Sequence, residues 1–458
     1  MSVSTGYHPA DLEPHLIGAQ TYVTRRRFAR IDAPALLSLM ICLLTLIPAQ
    51  LIIPGMTDLG RPAMIVAFLM AVWWVTARLN PRLVVVGPQP LRWAVLLFLL
   101  SVLGSYSVGL LRGLTVIEAN SADRWMLMLI GFVGVILLAA DGIPNWERLD
   151  GVLRVFVYCC TFVAVIGLLQ AFLYLDLTQY LMVPGLESKG WVVGLEIRGG
   201  GVRVASTTFH YIEFSTLMAV ALPFAIHYAR FSDTARQRQK FMAFAVLIAA
   251  AIPATTSRTG FVALAIVLLV LFPVWNKRLR FNMLAIGVIG LSGLVVVKPA
   301  LVSTISTMFL GAGDDPSITA RTDRYEMVGY YFNQRPWFGR GTGTWVSPQY
   351  QYLDNQWLAF AITNGLFGVA VLAALHITAI TLSVIAYRRS DSERDRHLCA
   401  ILIACQLVAM AVAATFDSFS FSTWATTLPF LIGICGAVWR FTHPARKVRT
   451  ATPRWFDK

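Results

Sequence analysis

Apolar runs separated by short polar segments set the pattern of this chain, and most of the runs are about one bilayer long. A hydrocarbon core about 30 Å thick takes roughly 20 apolar residues as helix. On that measure the pattern predicts twelve helices. The first six are Ala33–Ile53, Pro62–Thr76, Trp93–Leu111, Trp125–Ala140, Val152–Leu175 and Ile212–Tyr228. The others are Phe241–Thr255, Thr259–Val274, Asn282–Val297, Asn355–Ile385, Leu398–Phe416 and Ser422–Trp439. Only Thr256–Arg258 separates the seventh from the eighth. Two connections are long, roughly Asp176–Tyr211 and Pro299–Asp354, and both are rich in Gly, Trp and Tyr. Loops of that length are usually functional or disordered. The expected fold is an all-α polytopic membrane protein, a single integral membrane domain over residues 1–458. Its large outer loop, 299–354, lies between spans 9 and 10 and contains an amphipathic helix. No internal repeat of fixed period is visible, which weighs against inverted-repeat transporter folds.

Composition agrees. Hydrophobic residues are 57% and charged residues 14%, against roughly 45–50% and about 25% in an ordinary globular chain. So few charges would not cover a soluble surface. The 38 basic and 24 acidic side chains give +14, which taken alone would suggest nucleic acid. Their placement argues otherwise. With the N-terminus in the cytoplasm and sides alternating, 26 of the 38 Lys and Arg fall on the cytoplasmic side, although both long loops lie outside. That asymmetry puts both termini in the cytoplasm and the chain in the cytoplasmic (inner) membrane as a multi-pass protein. The first 30 residues are polar and end in Arg25, Arg26, Arg27 and Arg30. No cleavable signal peptide is therefore expected, and the first span serves as the insertion signal. All six cysteines fall inside spans, which excludes a disulfide framework and a thiolate metal site of usual spacing. Neither a Walker loop nor a Rossmann glycine fingerprint is present. Chemistry is expected on the outer face, without nucleotide, metal or other cofactor.

Four segments offer residues for it. In Ser257-Arg258-Thr259-Gly260 an arginine sits between two apolar runs, where it must face a cavity, a partner or water. Gly260 and the small hydroxyl residues would let a polar ligand approach. Arg203 follows three glycines, and His210 is the one histidine that this topology places outside. Glu213 lies one turn deeper, where a lone carboxylate is costly, and pairing with an arginine is expected. The stretch Ser317–Val328 reads as a helix ended by Pro336, with Arg321, Arg324, Tyr325, Val328 and Phe332 on one face. Guanidinium groups there suit bidentate contact with phosphate oxygens. Finally, Asp354 and Asn355 stand at the mouth of the tenth span, either as helix caps or with Asp354 taking a proton from a sugar hydroxyl. Arginines 203, 258, 321 and 324 with one carboxylate suit a lipid-anchored pyrophosphate, whose tail stays in the bilayer.

With these motifs in this order, the chain resembles the bacterial O-antigen ligase and polymerase superfamily of membrane glycosyltransferases over roughly residues 200–375. The resemblance rests on Ser257-Arg258-Thr259-Gly260, on the Arg321–Glu326 helix before Pro336-Trp337-Phe338-Gly339-Arg340-Gly341, and on Asp354-Asn355-Gln356-Trp357-Leu358 leading to Asn364-Gly365-Leu366-Phe367-Gly368. The Arg203–Phe214 stretch adds to it. It implies an inverting, metal-independent transfer. The donor would be a glycan on undecaprenyl pyrophosphate and the acceptor a hydroxyl of a second glycan or lipid. Arg203 and Arg258 would hold the leaving group with Arg321 and Arg324 helping, and Tyr325, His210, Glu213 and Asn355 would line the substrate. Ligases of this family commonly carry a histidine where this chain has Asp354, which favours a polymerase and makes Asp354 the expected base. A chain-length regulator acting on the long loop stays open as a partner, and the competing expectation is a lipid-linked oligosaccharide flippase or other multi-pass transporter.

Overall fold

The computed structural model describes residues 32–444 except 57, 80–86, 190–195, 199–200, 298, 300–301, 304–305, 307–323 and 348. Thirteen α-helices dominate the described residues. They are α1 (Ala33–Leu46), α2 (Pro62–Arg78), α3 (Pro90–Arg112), α4 (Val116–Gly142), α5 (Trp146–Leu173) and α6 (Tyr211–Phe231). Then come α7 (Ala235–Ala254), α8 (Arg258–Leu271), α9 (Lys277–Val297), α10 (Arg324–Gln334), α11 (Gln356–Arg389), α12 (Glu393–Val412) and α13 (Ser422–Phe441). Each of the twelve apolar runs is thus a helix, and α10 is the helix of the long loop. Seven (α3 to α6 and α11 to α13) are long and apolar enough to cross a membrane, and α1, α2 and α8 are shorter apolar helices. The chain is a helical, multi-pass membrane protein.

Where boundaries differ from expectation, local chemistry explains it. Helix α1 stops at Leu46 rather than Ile53, because Pro48 has no N–H to donate and pushes Ile47 into extended geometry. Leu51–Ile52 (β1) instead pairs antiparallel with Glu187–Ser188 (β2). Helix α4 begins well before Trp125, because Thr115 and Glu118 form a reciprocal capping box. Asn145 caps α5 ahead of the expected start, accepting from the Arg148 N–H at 2.9 Å. All six cysteines are free thiols.

The connections sort to two ends. At one, Asp141 pairs with Arg78 at 2.5 Å and Arg92 at 2.9 Å, and Arg394 reaches Asp150 at 2.8 Å. At the other, the α1–α2 and α5–α6 connections join through Ala49 N–H to Thr207 O at 2.8 Å. There Arg112 and Arg340 share Glu118 at 2.9 and 3.0 Å. Helices α6 and α13 form the centre and are almost wholly buried, so the segments before their N-termini converge over the middle of the bundle.

Helix α11 is broken at Gly365, whose φ is 67°. The segment Pro336–Gly341 lies against the break, with Arg340 N–H to Ile362 O at 3.0 Å, Gly341 N–H to Thr363 O at 3.0 Å and Leu366 N–H to Pro336 O at 2.7 Å. The carbonyls and amides freed by the break are thereby satisfied inside the protein. A Cβ on Gly339 would collide with Thr363 backbone, and one on Gly365 with Trp337 backbone. Left-handed strain alone costs about 1–3 kcal/mol. Gly339→Ala and Gly365→Ala should therefore lower the unfolding temperature in detergent well below that of Gly329→Ala, a helical position with open space around it. Equal values in all three would contradict this docking.

Candidate functional site

The site grows from the junction of α10, α11 and the α12–α13 connection. Helix α10 presents Arg324, Met327, Val328 and Tyr331 inward, and Val328 packs with Leu353 and Ile362. That stripe leaves Tyr325 exposed, a rotation away from the expected face. Arg324 then reaches Asp354 across the junction at 3.0 Å. Asp354 sits in the left-handed region at φ 50°. It is held there by Asp417, whose two carboxylate oxygens accept the Asp354 N–H at 3.1 Å and the Asn355 N–H at 3.0 Å. Asn355 caps α11 by accepting from the Leu358 N–H at 3.2 Å. Of the two roles open to the pair, Asn355 takes the cap and Asp354 is left turned to an arginine. Burial raises the Asp417 carboxyl above the usual carboxylate range and the Asp354 charge adds to that, while the two backbone N–H groups oppose it.

Arg203 enters from a hairpin of Glu196–Arg198 (β3) and Gly201–Arg203 (β4). The following loop is tied down by the Ser206 N–H to Gln170 Oε1 at 2.8 Å and by Thr207 Oγ1 to Thr45 O at 2.7 Å. Arg203 is buried, its guanidinium carbon lies 4.3 Å from the Tyr211 ring centre, and it donates to the Tyr211 hydroxyl. His210 caps α6, accepting the Ile212 N–H on Nδ1 at 3.2 Å. That bond assigns the proton of the neutral ring to Nε2. Burial and then the Arg203 charge lower its pKa to about 4, while the Asp354 charge pulls the other way. His210 is therefore neutral at pH 7. Its contribution to stability is present above about 6.5 and lost as pH falls from there through about 4. The charges of Arg203 and Asp354 thus both act on His210, and Arg324 reaches the same Asp354.

Arg258 opens α8 directly after the turn at Thr255–Ser257. Its neighbour Thr259 donates to Thr415 Oγ1 at 3.1 Å, on the segment leading to Asp417. The approach at Gly260 is made by a helix: a Cβ there would lie 2.6 Å from Ser215 Cβ on α6. The glycine thus serves packing, and the expectation of a ligand against it is corrected. Glu213 is fully buried, accepting the Phe209 and Trp424 N–H groups at 2.9 Å each and facing the positive charge of Arg61. Arg321 lies outside the described residues.

Sequence reasoning missed Asp417, Arg61, Arg124 and Lys189. The last three line a cavity of about 380 Å³ beside the group, and Asp417 forms part of its wall. A carboxylate one residue past the expected end of an apolar run at Phe416 was the available signal for Asp417. Arg340 also went unassigned; it is buried against Glu118 and lies over the Tyr350 ring at 4.4 Å. Such an array can bind an anion, hold a sugar against aromatic faces and take a proton on a carboxylate.

No curated protein matches the chain. The O-antigen ligase family model matches residues 243–373, a segment that contains Arg258, Arg324, Asp354 and Asn355 and stops short of Asp417. Over that region this multi-pass helical chain is similar to the O-antigen ligase family.

Proposed function

We propose that the protein transfers glycans carried on undecaprenyl pyrophosphate at the outer face of the cytoplasmic membrane, as a polymerase in preference to a ligase. The observation that carries this is the Arg324–Asp354 pair beside Arg203 and His210, set at the end of the bundle opposite Arg78, Arg92, Arg148 and Arg394. With both termini cytoplasmic, that end faces outward. The aspartate at position 354, where ligases commonly have histidine, favours the polymerase.

In the proposed step Asp354 accepts the proton of an acceptor hydroxyl. The hydroxyl oxygen bonds to the anomeric carbon from the face opposite the diphosphate, and the carbon–oxygen bond to the diphosphate breaks. The departing diphosphate gains negative charge, and fixed guanidinium groups stabilise it most at that point. Arg203, Arg258 and Arg324 supply that charge, so the transfer proceeds without metal, and Arg321 is proposed as a further ligand. The Arg324–Asp354 contact is half-exposed on the Asp354 side, so entering phosphate can draw Arg324 away and free the carboxylate. Glu213 and Arg61 hold the floor rather than react. Asn355 fixes the start of α11, and neutral His210 offers its Nε2 proton as a donor to a phosphate or sugar oxygen.

Asp417 keeps Asp354 in its left-handed geometry. Asp417→Asn should lower transfer about 10- to 100-fold at normal membrane level, because misplacing a reacting group by about 1 Å costs on that order. Unchanged turnover would show that Asp354 keeps its place without it. The proposal as a whole is tested by deleting the gene and analysing the surface polysaccharide. Accumulated single repeat units identify a polymerase and full-length polymer left on its carrier a ligase. Unaltered polysaccharide would contradict both.

A further inference from the structure

Arg340 has no part in the proposed step, yet it is held from several sides. Its N–H donates to Ile362 O at 3.0 Å, at the break in α11. Its carbonyl accepts from Arg112 Nε at 3.0 Å. Its guanidinium pairs with Glu118 at 3.0 Å. The same group lies against three rings, 4.4 Å from the centre of Tyr350, 5.1 Å from Tyr331 and 5.7 Å from Trp345. Glu118 is fixed in turn by the capping box of α4 and by Arg112. With about 8% exposure and a buried carboxylate in front of it, this cation is placed to hold its neighbours rather than to take up a phosphate.

Of the three rings, Tyr331 is the one that α10 carries. It stands about two turns beyond Arg324, on the same face of the helix, with Val328 between them. Helix α10 has 11 residues, and helices shorter than about 12–15 residues are marginal on propensity alone. Packing therefore decides where α10 points. The cluster of Val328, Leu353 and Ile362 fixes one point of its inward stripe. One point leaves a pivot. Tyr331 supplies the second, seated between the Arg340 guanidinium and the Trp345 ring, whose centre is 5.1 Å away. A guanidinium is attracted to a ring face, and more strongly where water is excluded. With both points fixed, the stripe carries Arg324 to Asp354 at 3.0 Å.

We propose that Arg340 is a positioning residue: anchored by Glu118 and by the break in α11, it seats Tyr331 and so orients α10 for Arg324 to meet the donor diphosphate. This rests on the transfer reading above, in which Arg324 is a phosphate ligand, and deepens it.

Affinity for glycan-free undecaprenyl diphosphate, measured by native mass spectrometry on the full chain in phosphatidylcholine nanodiscs, reads this without turnover. Arg324→Ala should weaken binding about 10-fold, as loss of one charge-assisted contact does. Arg340→Met and Tyr331→Leu break the Arg340–Tyr331 contact from opposite sides, and each should weaken binding ~3- to 10-fold. In the Arg324→Ala background neither should weaken it further, because their effect passes through Arg324. Tyr331→Phe keeps the ring face and should recover most of what Tyr331→Leu loses; Arg340→Lys keeps the cation and should recover part of what Arg340→Met loses. Arg340→Met leaves Glu118 with Arg112 at 2.9 Å. Should that variant still fold poorly, Tyr331→Leu carries the test, since the Arg340–Glu118 pair is then intact. Equal fold losses with and without Arg324, or wild-type affinity in Tyr331→Leu, would overturn the proposal and leave the transfer reading standing. A wild-type protein that binds no lipid diphosphate would instead strike the transfer reading, and this proposal with it.

Discussion

Asp354→Asn is expected to reduce glycan transfer ~100-fold or more while leaving the amount of folded protein in the membrane unchanged. General-base contributions are typically about 10²- to 10⁴-fold. The amide is nearly the same size and keeps one acceptor oxygen for Arg324, but it takes no proton. The Arg324–Asp354 pair is 18% and 45% exposed, and exposed ion pairs contribute at most about 1 kcal/mol, so folding should survive the change. The left-handed geometry also favours the variant, because asparagine tolerates that region well. Arg324→Ala should act on a different parameter. It removes a proposed phosphate ligand and leaves the proposed base in place, so the deficit should appear in donor concentration dependence as well as in turnover. Measurement is of polymer made in cells and of transfer by purified protein, each normalised to membrane level. Wild-type polymer yield from Asp354→Asn would remove this residue from the chemistry.

Arg61→Met and Glu213→Leu should each strongly deplete folded protein, and the double variant should restore part of it. Arg61 is about 1% exposed and donates to Ser422 Oγ at 2.6 Å, Thr423 Oγ1 at 2.9 Å and Leu44 O at 2.6 Å. It thus joins the end of α1 to the start of α13. Glu213 is at 0% and holds the Phe209 and Trp424 amides. Deleting one of two mutually compensating buried charges leaves the other uncompensated, at a cost of about 3–5 kcal/mol. Deleting both removes the uncompensated charge, although the hydrogen bonds to Ser422, Thr423 and the two amides are still lost. Thermal unfolding in detergent and steady-state membrane level should therefore rank wild type, double variant and single variants in that order. A double variant no better than the worse single one would show that the two charges do not compensate each other.

The helices were legible because an apolar run of bilayer length leaves the backbone few alternatives to helix. Their ends were legible only in part. The stop at Leu46 is written in Pro48 and the early start of α4 in Thr115 and Glu118, yet a hydropathy window passes over both signals. The break at Gly365 was not legible, since the carbonyls it frees are satisfied by Pro336–Gly341, a partner from a different stretch of chain. The Asp354–Asn355 step was legible as a polar pair at a helix mouth. Its anchor Asp417 was not, because that contact exists only once α11 and α12 lie side by side. Arg61 carried a visible charge, but its burial beside Glu213 depends on α1, α6 and α13 meeting. The expected rotation of α10 erred at Tyr325 because the inward stripe is set by the Val328, Leu353 and Ile362 packing rather than by the arginines alone.

The arginine–carboxylate site is proposed to exchange a glycosidic bond. The most direct measurement is product analysis by mass spectrometry on purified protein in proteoliposomes supplied with lipid-linked glycan alone. Elongated glycan and glycan-free lipid diphosphate should form in equal amounts, and both should be lost in Arg203→Ala and Arg324→Ala. Lipid-linked glycan that moves from one leaflet to the other with every bond intact would contradict the exchange and identify a transporter.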